Sequence, residues 1–191
     1  MKVVCGFSSH YGKLPFELPE SWTWARIVDI CEPQETKYPS GETFAYIDID
    51  AIDNTHHCVL VPKIIPTQLA PSRASKGIRF GDTLFSMVRP YLMNIAFVSE
   101  KLSDCIASTG FYVCRPVPNT VFPKYLFFFL TSPYAVNVAT SYMRGDNSPA
   151  IRKDEMDGIL VPLPPINEQI RIVNAVESIF KQMYQIAENL N

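Results

Sequence analysis

The last 28 residues, "PPINEQIRIVNAVESIFKQMYQIAENLN" (164–191), limit the fold more than any other part of the sequence. The chain has 16 prolines and 8 glycines, and only the opening proline pair lies in this segment. Nothing after that pair breaks a helix, whereas the preceding 163 residues are interrupted repeatedly. A helix of about 24 residues would reach roughly 36 Å at about 1.5 Å per residue, longer than a small domain needs. Val173, Val176, Phe180, Met183, Ala187 and Leu190 follow one another at spacings 3, 4, 3, 4, 3, which is a heptad seam. Ile170, Ile172, Ile179 and Ile186 widen the stripe. Such a helix either packs on its own domain or projects and pairs with another helix. Its length favours projection. A short lone helix barely holds in water, and an exposed apolar seam invites association. The expected outcome is self-association, most simply an antiparallel homodimer with one domain at each end. The chain therefore divides into a domain at 1–163 and a helical spacer or dimerisation segment at 164–191.

Within 1–163 the pattern is that of an α/β (α+β) protein, β-rich first and helical later. "TFAYIDIDAI" (43–52) alternates like a strand, "DTLFSMVRP" (82–90) and "NIAFVSE" (94–100) read as two more around a turn at "RPYLM", and "CIASTGFYVCRP" (105–116) reads as one strand kinked at Gly110. "FPKYLFFFLTS" (122–132) suits a buried helix. "SPYAVNVATSYM" (132–143) has Ser132 as N-cap and Pro133 in the first turn of a second helix. A short helix at 152–158 ends at Gly158, and "ILVPLP" (159–164) is an edge strand.

Several function classes lose support. The five cysteines, Cys5, Cys31, Cys58, Cys105 and Cys114, are odd in number and lack CxxC spacing. They read as small buried thiols in a reducing cytoplasm, not as disulfides or a zinc site. The N-terminus has no signal-peptide pattern and "YLFFFL" is too short to span a bilayer, so a cytoplasmic chain without a membrane partner is expected. Asp48, Asp50 and Asp53 resemble the start of a calcium loop, but the glycine and closing Glu are missing. Alternation along a strand accounts for Asp48 and Asp50 as well. His56 and His57 are neighbours that an extended chain points apart, and His10 is distant. No nucleophile elbow, Walker loop or dinucleotide motif is present, so binding is favoured over catalysis and no metal or cofactor is expected.

Net charge is −2, yet it is unevenly spread: residues 1–59 carry 4 basic and 9 acidic side chains, 60–101 carry 6 and 2, and 102–191 carry 7 and 8. The middle is a basic block in an acidic chain, either a solvated face or a phosphate-facing one.

Five blocks then fall in a telling order: "LPESWTWARIVDI" (18–30), "LAPSRASKGIRFGDTLFSMVRPYLMNIAFV" (69–98), "IASTGFYVCRP" (106–116), "YLFFFLTSPY" (125–134) and "PLPPINEQIRIVNAVE" (162–177). Together they resemble the target recognition domain of type I restriction–modification specificity subunits, over roughly residues 14–190. The resemblance implies a non-catalytic subunit that reads one half of a bipartite double-stranded DNA site. It implies methyltransferase subunits as partners, with S-adenosylmethionine as their cofactor, and a restriction/translocase subunit reached through the complex. It also implies that the helix spaces two half-sites. Such subunits carry two recognition domains and two long helices, so this chain resembles a half-subunit or a truncated product. A homodimer would read a gapped palindrome. The alternative is a protein-interaction or decoy subunit of the same fold that no longer reads DNA.

On this reading "APSRASKG" offers Ser72, Arg73, Ser75 and Lys76 in one loop, followed by Arg79, and "VRPYLMN" offers Arg89, Tyr91 and Asn94. Arginine can fork to guanine, asparagine to adenine, and lysine neutralises phosphate. "RGDNSPAIR" spells an adhesion tripeptide by chance. The resemblance places it instead in a polar recognition loop, with Arg144, Asn147, Ser148 and Arg152 as DNA contacts. Arg152 stands where relatives have the Asn or Ser cap of the following helix. Either the cap lies elsewhere or Arg152 faces phosphate.

Overall fold

The computed structural model describes residues 14–189. In chain order they form β1 (Thr23–Arg26), α1 (Ile27–Ile30), β2 (Thr43–Ile47), β3 (Ile52–Asp53), β4 (Cys58–Val59), β5 (Lys63–Pro66), β6 (Ala74–Gly77), β7 (Thr83–Ser86), β8 (Ile95–Phe97), β9 (Ile106–Ser108) and β10 (Phe111–Cys114). The helical part follows, with α2 (Pro123–Leu130), α3 (Pro133–Ser141), α4 (Lys153–Asp157), β11 (Leu160–Leu163) and α5 (Ile166–Asn189). The expected order of strands, then helices, then one long helix is present.

Period-two alternation on β7, β8 and β10 explains the layers. These strands form an antiparallel sheet in the order β10-β7-β8. Leu84, Ala96, Phe111 and Val113 face one way, into a core shared with Ile47 and Ala107 of a second sheet. Phe85, Ile95, Tyr112 and Cys114 face the other way, into a core shared with α2, α3 and Met156 of α4. The three-stranded sheet is thus buried on both faces, and all four residues of β7 and of β10 are buried. The second sheet is mixed, in the order β5-β2-β9-β6, with β2 and β9 parallel and the other pairs antiparallel.

Two expected strands and one expected loop differ in detail. The 105–116 run is two strands in two sheets, because the chain steps between sheets at Thr109-Gly110. The 43–52 run ends at Ile47, where Asp48 accepts the Ile49 N–H at 2.9 Å and starts a 3-10 turn. Asp48 and Asp50 are therefore not alternate strand residues. "ASKG" is strand β6, not part of a loop. Cys31, Cys105 and Cys114 are buried thiols as expected, but Cys58 is exposed; Cys5 and His10 lie outside the described residues.

The helices begin where their caps predict. Pro123 opens α2, whose Tyr125, Leu126, Phe129 and Leu130 enter the core. Ser132 accepts the Ala135 N–H at 3.3 Å and Pro133 opens α3. Strand β11 pairs antiparallel with β1, Thr23 opposite Leu163 through Arg26 opposite Leu160, and so anchors the residues that lead into α5.

One buried side chain fixes the direction of α5. Gln169 is fully buried; its Oε1 accepts the Phe122 N–H at 2.8 Å, and its Nε2 donates to the carbonyls of Thr120 at 3.0 Å and Pro164 at 2.9 Å. Val173, one turn on, is buried in the same domain. Val176 is half-buried, and every described residue from 177 to 189 is exposed. Those 13 residues extend the helix by roughly 20 Å. The heptad seam is therefore split. Val173 serves the chain's own core, which corrects its assignment to helix pairing. Phe180, Met183 and Ala187 are exposed, as are Ile179, Tyr184 and Ile186. Leu190 lies outside the described residues. Among the described residues no helix is long and apolar enough to cross a membrane.

Replacing Gln169 tests this anchor. Gln169→Leu leaves one buried N–H and two carbonyls without their partner, at about 1–3 kcal/mol for each unsatisfied group. Urea unfolding should show a loss of about 3 kcal/mol, against little change for exposed Gln185→Leu.

Candidate nucleic-acid interface

The recognition loops predicted from sequence are laced together by backbone hydrogen bonds at one end of β7. Arg73 O accepts the Thr109 N–H at 2.8 Å, and Gly110 O accepts the Met87 N–H at 2.9 Å. Val88 bridges Ala150, Ile151 donates to Met87 O at 3.0 Å, and Arg89 donates to Pro149 O at 2.8 Å. Arg144 and Ala150 close the last loop with a reciprocal pair of 3.0 Å bonds. The row thus runs from 73 through 109–110 and 87–89 to 144–150. A Cβ at Gly110 would lie 2.9 Å from Ile49 Cδ1, so a larger residue there would displace that side-chain end. Gly145 turns the outer loop at φ +99°.

The loop after β7 is a 3-10 turn, Pro90–Leu92, between left-handed Arg89 and Met93. Asn54 Nδ2 donates to Leu92 O at 2.8 Å and supports it from below. Tyr91 is 48% exposed on this turn, and Asn94 is half-buried with its carbonyl accepting the Ser86 N–H at 3.1 Å. Ser72, Arg73, Arg89, Arg144, Asn147, Ser148 and Arg152 are all exposed.

Most of these cations already face a carboxylate. Arg73 pairs with Asp48 at 3.2 Å and Arg144 with Glu155 at 2.8 Å. Burial by itself would raise the Asp48 carboxyl, but the Ile49 N–H and nearby Arg73 hold it below the ordinary carboxylate range. Arg152 is the N-cap of α4, and its own N–H donates to Glu155 at 3.0 Å. The cap is one-sided because a guanidinium has no acceptor to offer. Its side chain stays 58% exposed.

Three predicted residues lie elsewhere. Ser75 and Lys76 sit on strand β6, where the Ser75 carbonyl accepts the Lys37 N–H at 3.0 Å and Lys76 Nζ donates to Gln34 Oε1 at 2.6 Å. Burial pushes the Lys76 ammonium below its ordinary pKa. Arg79 precedes β7 and Arg89 follows it, so the four-residue strand, about 13 Å long, lies between them. It pairs with Glu35 at 2.7 Å, which also takes buried Arg115 at 2.9 Å, and Arg115 grips Asp82 at 2.8 Å. Burial disfavours both charges of that inner pair: it pushes the Asp82 carboxyl up despite the Arg115 bonds, while on Arg115 the bonds to Asp82 and Glu35 outweigh burial and hold the guanidinium charged. Sequence reading missed Arg115, Asn54 and Gln169, whose partners are 33 to 80, 38 and 5 to 49 residues away. Among the described residues no three His, Cys, Asp or Glu side chains gather as a metal site.

Residues 19–191 match the family described as type I restriction modification DNA specificity domain. The chain belongs to this family. It is 25% identical over 175 residues to the type I restriction enzyme EcoAI specificity subunit of Escherichia coli, which aligns 87% of this chain and 30% of that subunit. It is 32% identical over 110 residues to the HindI specificity subunit of Haemophilus influenzae, covering 56% of this chain and 24% of that one. Among solved structures, the HsdS subunit from Thermoanaerobacter tengcongensis superposes with a TM-score of 0.83 at 41% identity, over 91% of this chain and 46% of that chain. The S subunit from M. genitalium, at 11% identity and a TM-score of 0.56, shares the fold. The chain thus spans less than half the length of these relatives.

Proposed function

We infer that this specificity domain reads one half of a bipartite double-stranded DNA site and carries methyltransferase subunits to it. The laced row of loops supports this: three segments distant in sequence bring Arg73, Tyr91, Arg144, Asn147 and Ser148 into one row beside the end of β7. Rigid strands with polar loops are a common platform for recognition. Arg73 suits a guanine edge and Asn147 an adenine edge. The chain contributes recognition, while S-adenosylmethionine belongs to the methyltransferase partner and cleavage to the restriction/translocase subunit. Lys76 and Arg79 are left out of this surface, because Lys76 lies within strand β6 and Arg79 precedes β7, at the opposite end from Arg89.

The exposed outer half of α5 supports pairing. Phe180, Met183 and their neighbours give an apolar stripe beyond the point where the domain covers the helix. Two copies joined antiparallel would place one reading domain at each end and match a gapped palindrome. The helical segment 164–191 is then the spacer that sets the gap.

Two measurements check the reading. DNA affinity of the chain alone should be weaker than the roughly 10⁻⁸ M of complete assemblies at physiological salt. Arg73→Ala should cost on the order of 1–3 kcal/mol on the preferred duplex, and Lys76→Ala should leave the salt slope unchanged. Equal binding by wild type and Arg73→Ala would remove Arg73 from the reading surface. Sedimentation at several concentrations should show a monomer–dimer equilibrium that Phe180→Glu abolishes, because the new carboxylate would be buried unpaired. A strict monomer at high micromolar concentration would contradict the pairing.

A further inference from the structure

Arg89 has the residue type of a direct DNA contact, but its surroundings assign it another task. Its backbone lies at φ +48°, ψ +62°, a left-handed conformation that side chains other than glycine seldom adopt. The following Pro90 narrows the choice further. Three bonds hold the residue there, from its N–H to Pro149 O at 2.8 Å, from its Nη2 to Asn147 O at 2.7 Å, and from the Leu92 N–H to its carbonyl at 2.9 Å. Met87 and Val88 already pair with Ile151 and Ala150. The guanidinium carries that contact beyond the backbone pairing, to the crest of the 144–150 loop.

That crest has little else to shape it. Residues 144–148 are all exposed, and Gly145, Asp146, Asn147 and Ser148 supply no large apolar side chain to bury. The turn that carries Arg89 is itself fixed from the other side. Asn54 Nδ2 donates to Leu92 O at 2.8 Å, and the His57 ring bonds Ile95 O at 3.1 Å. Backbone bonds and the Arg144–Glu155 ion pair hold the base of the loop, and the braced turn reaches its crest through one long side chain.

We propose that Arg89 is a positioning residue: its guanidinium, bound to the Asn147 carbonyl, sets the direction in which Asn147 and Ser148 leave the 144–150 loop toward DNA. This rests on the DNA-reading function inferred above. The bond uses the backbone of Asn147, so that side chain remains available for a base edge.

Amide hydrogen exchange on the free chain, paired with DNA titration, tests the proposal. The DNA probe is the duplex that wild-type protein enriches from a randomised library, compared with a scrambled one. In Arg89→Ala the Arg144 and Ala150 amides should exchange about tenfold faster, as expected for the loss of about one hydrogen bond's worth of stability. Leu84 and Val113 in the core strands should not change. The same variant should lose about tenfold in preference for the enriched duplex while keeping its salt slope. Asn147→Ala should lose preference but keep the slow exchange. Arg89→Met, with a long stem and no donor, should behave as Arg89→Ala and serves if the alanine variant does not fold. Unchanged exchange with a salt slope lower by about one would make Arg89 a phosphate contact and overturn the proposal. Unchanged exchange with lost preference would make it a base contact, and also overturn it. Faster exchange with preference intact would take the loop off the reading surface and overturn it as well. If wild type enriches no duplex at all, the DNA-reading function itself fails, separately from the brace.

Discussion

Two residues, Thr109 and Gly110, carry the chain from the mixed sheet into the three-stranded one, and much of the molecule depends on that step. The step stacks the sheets, so that Ile47 and Ala107 meet Leu84, Phe111 and Val113 in one core. The same two residues also present a donor and an acceptor outward, one taken by Arg73 O and the other by Met87 N–H. The junction that forms the core thereby aligns the loops that carry Arg73 and Arg89. A side chain at 110 would meet the end of the Ile49 side chain at 2.9 Å, so the step is also closely packed.

What was legible in the sequence was mostly local or periodic. Ser132 and Pro133, the apolar run at 125–130 and the uninterrupted 166–189 segment each place a helix by chemistry that acts within one or two turns. The three-stranded sheet was legible strand by strand, but not its partition: a strand buried on both faces has no alternation to show which layer it joins. "ASKG" looked like loop because its β partners, Ile106–Ser108, lie some thirty residues downstream. The basic block seemed a single surface by charge counting. Its members separate because β7 runs between Arg79 and Arg89, and because Gln34, Glu35 and Asp48 come from the acidic first third to meet three of them.

The helix shows the same division between what a pattern states and what packing decides. A heptad seam announces that apolar residues share a stripe, not who covers them. Gln169 and Val173 commit the first turns of α5 to the chain's own domain. From residue 177 onward the described helix leaves that cover, and Phe128 against Phe180 at 6.2 Å and Lys124 against Glu177 at 2.6 Å mark the border. One helix is thus rooted in the domain at one end and exposed along the rest of its described length.

The central claim is that the laced loop row decides which DNA sequence is marked. Sequencing the methylated bases of host cells that carry the gene, lack it, or carry it with residues 144–149 exchanged for the corresponding loop of a relative tests this most directly. The account predicts one gapped motif that is methylated only when the gene is present, and a changed half-site in the exchanged strain while the gap is retained. An identical methylation pattern in all three strains would contradict it.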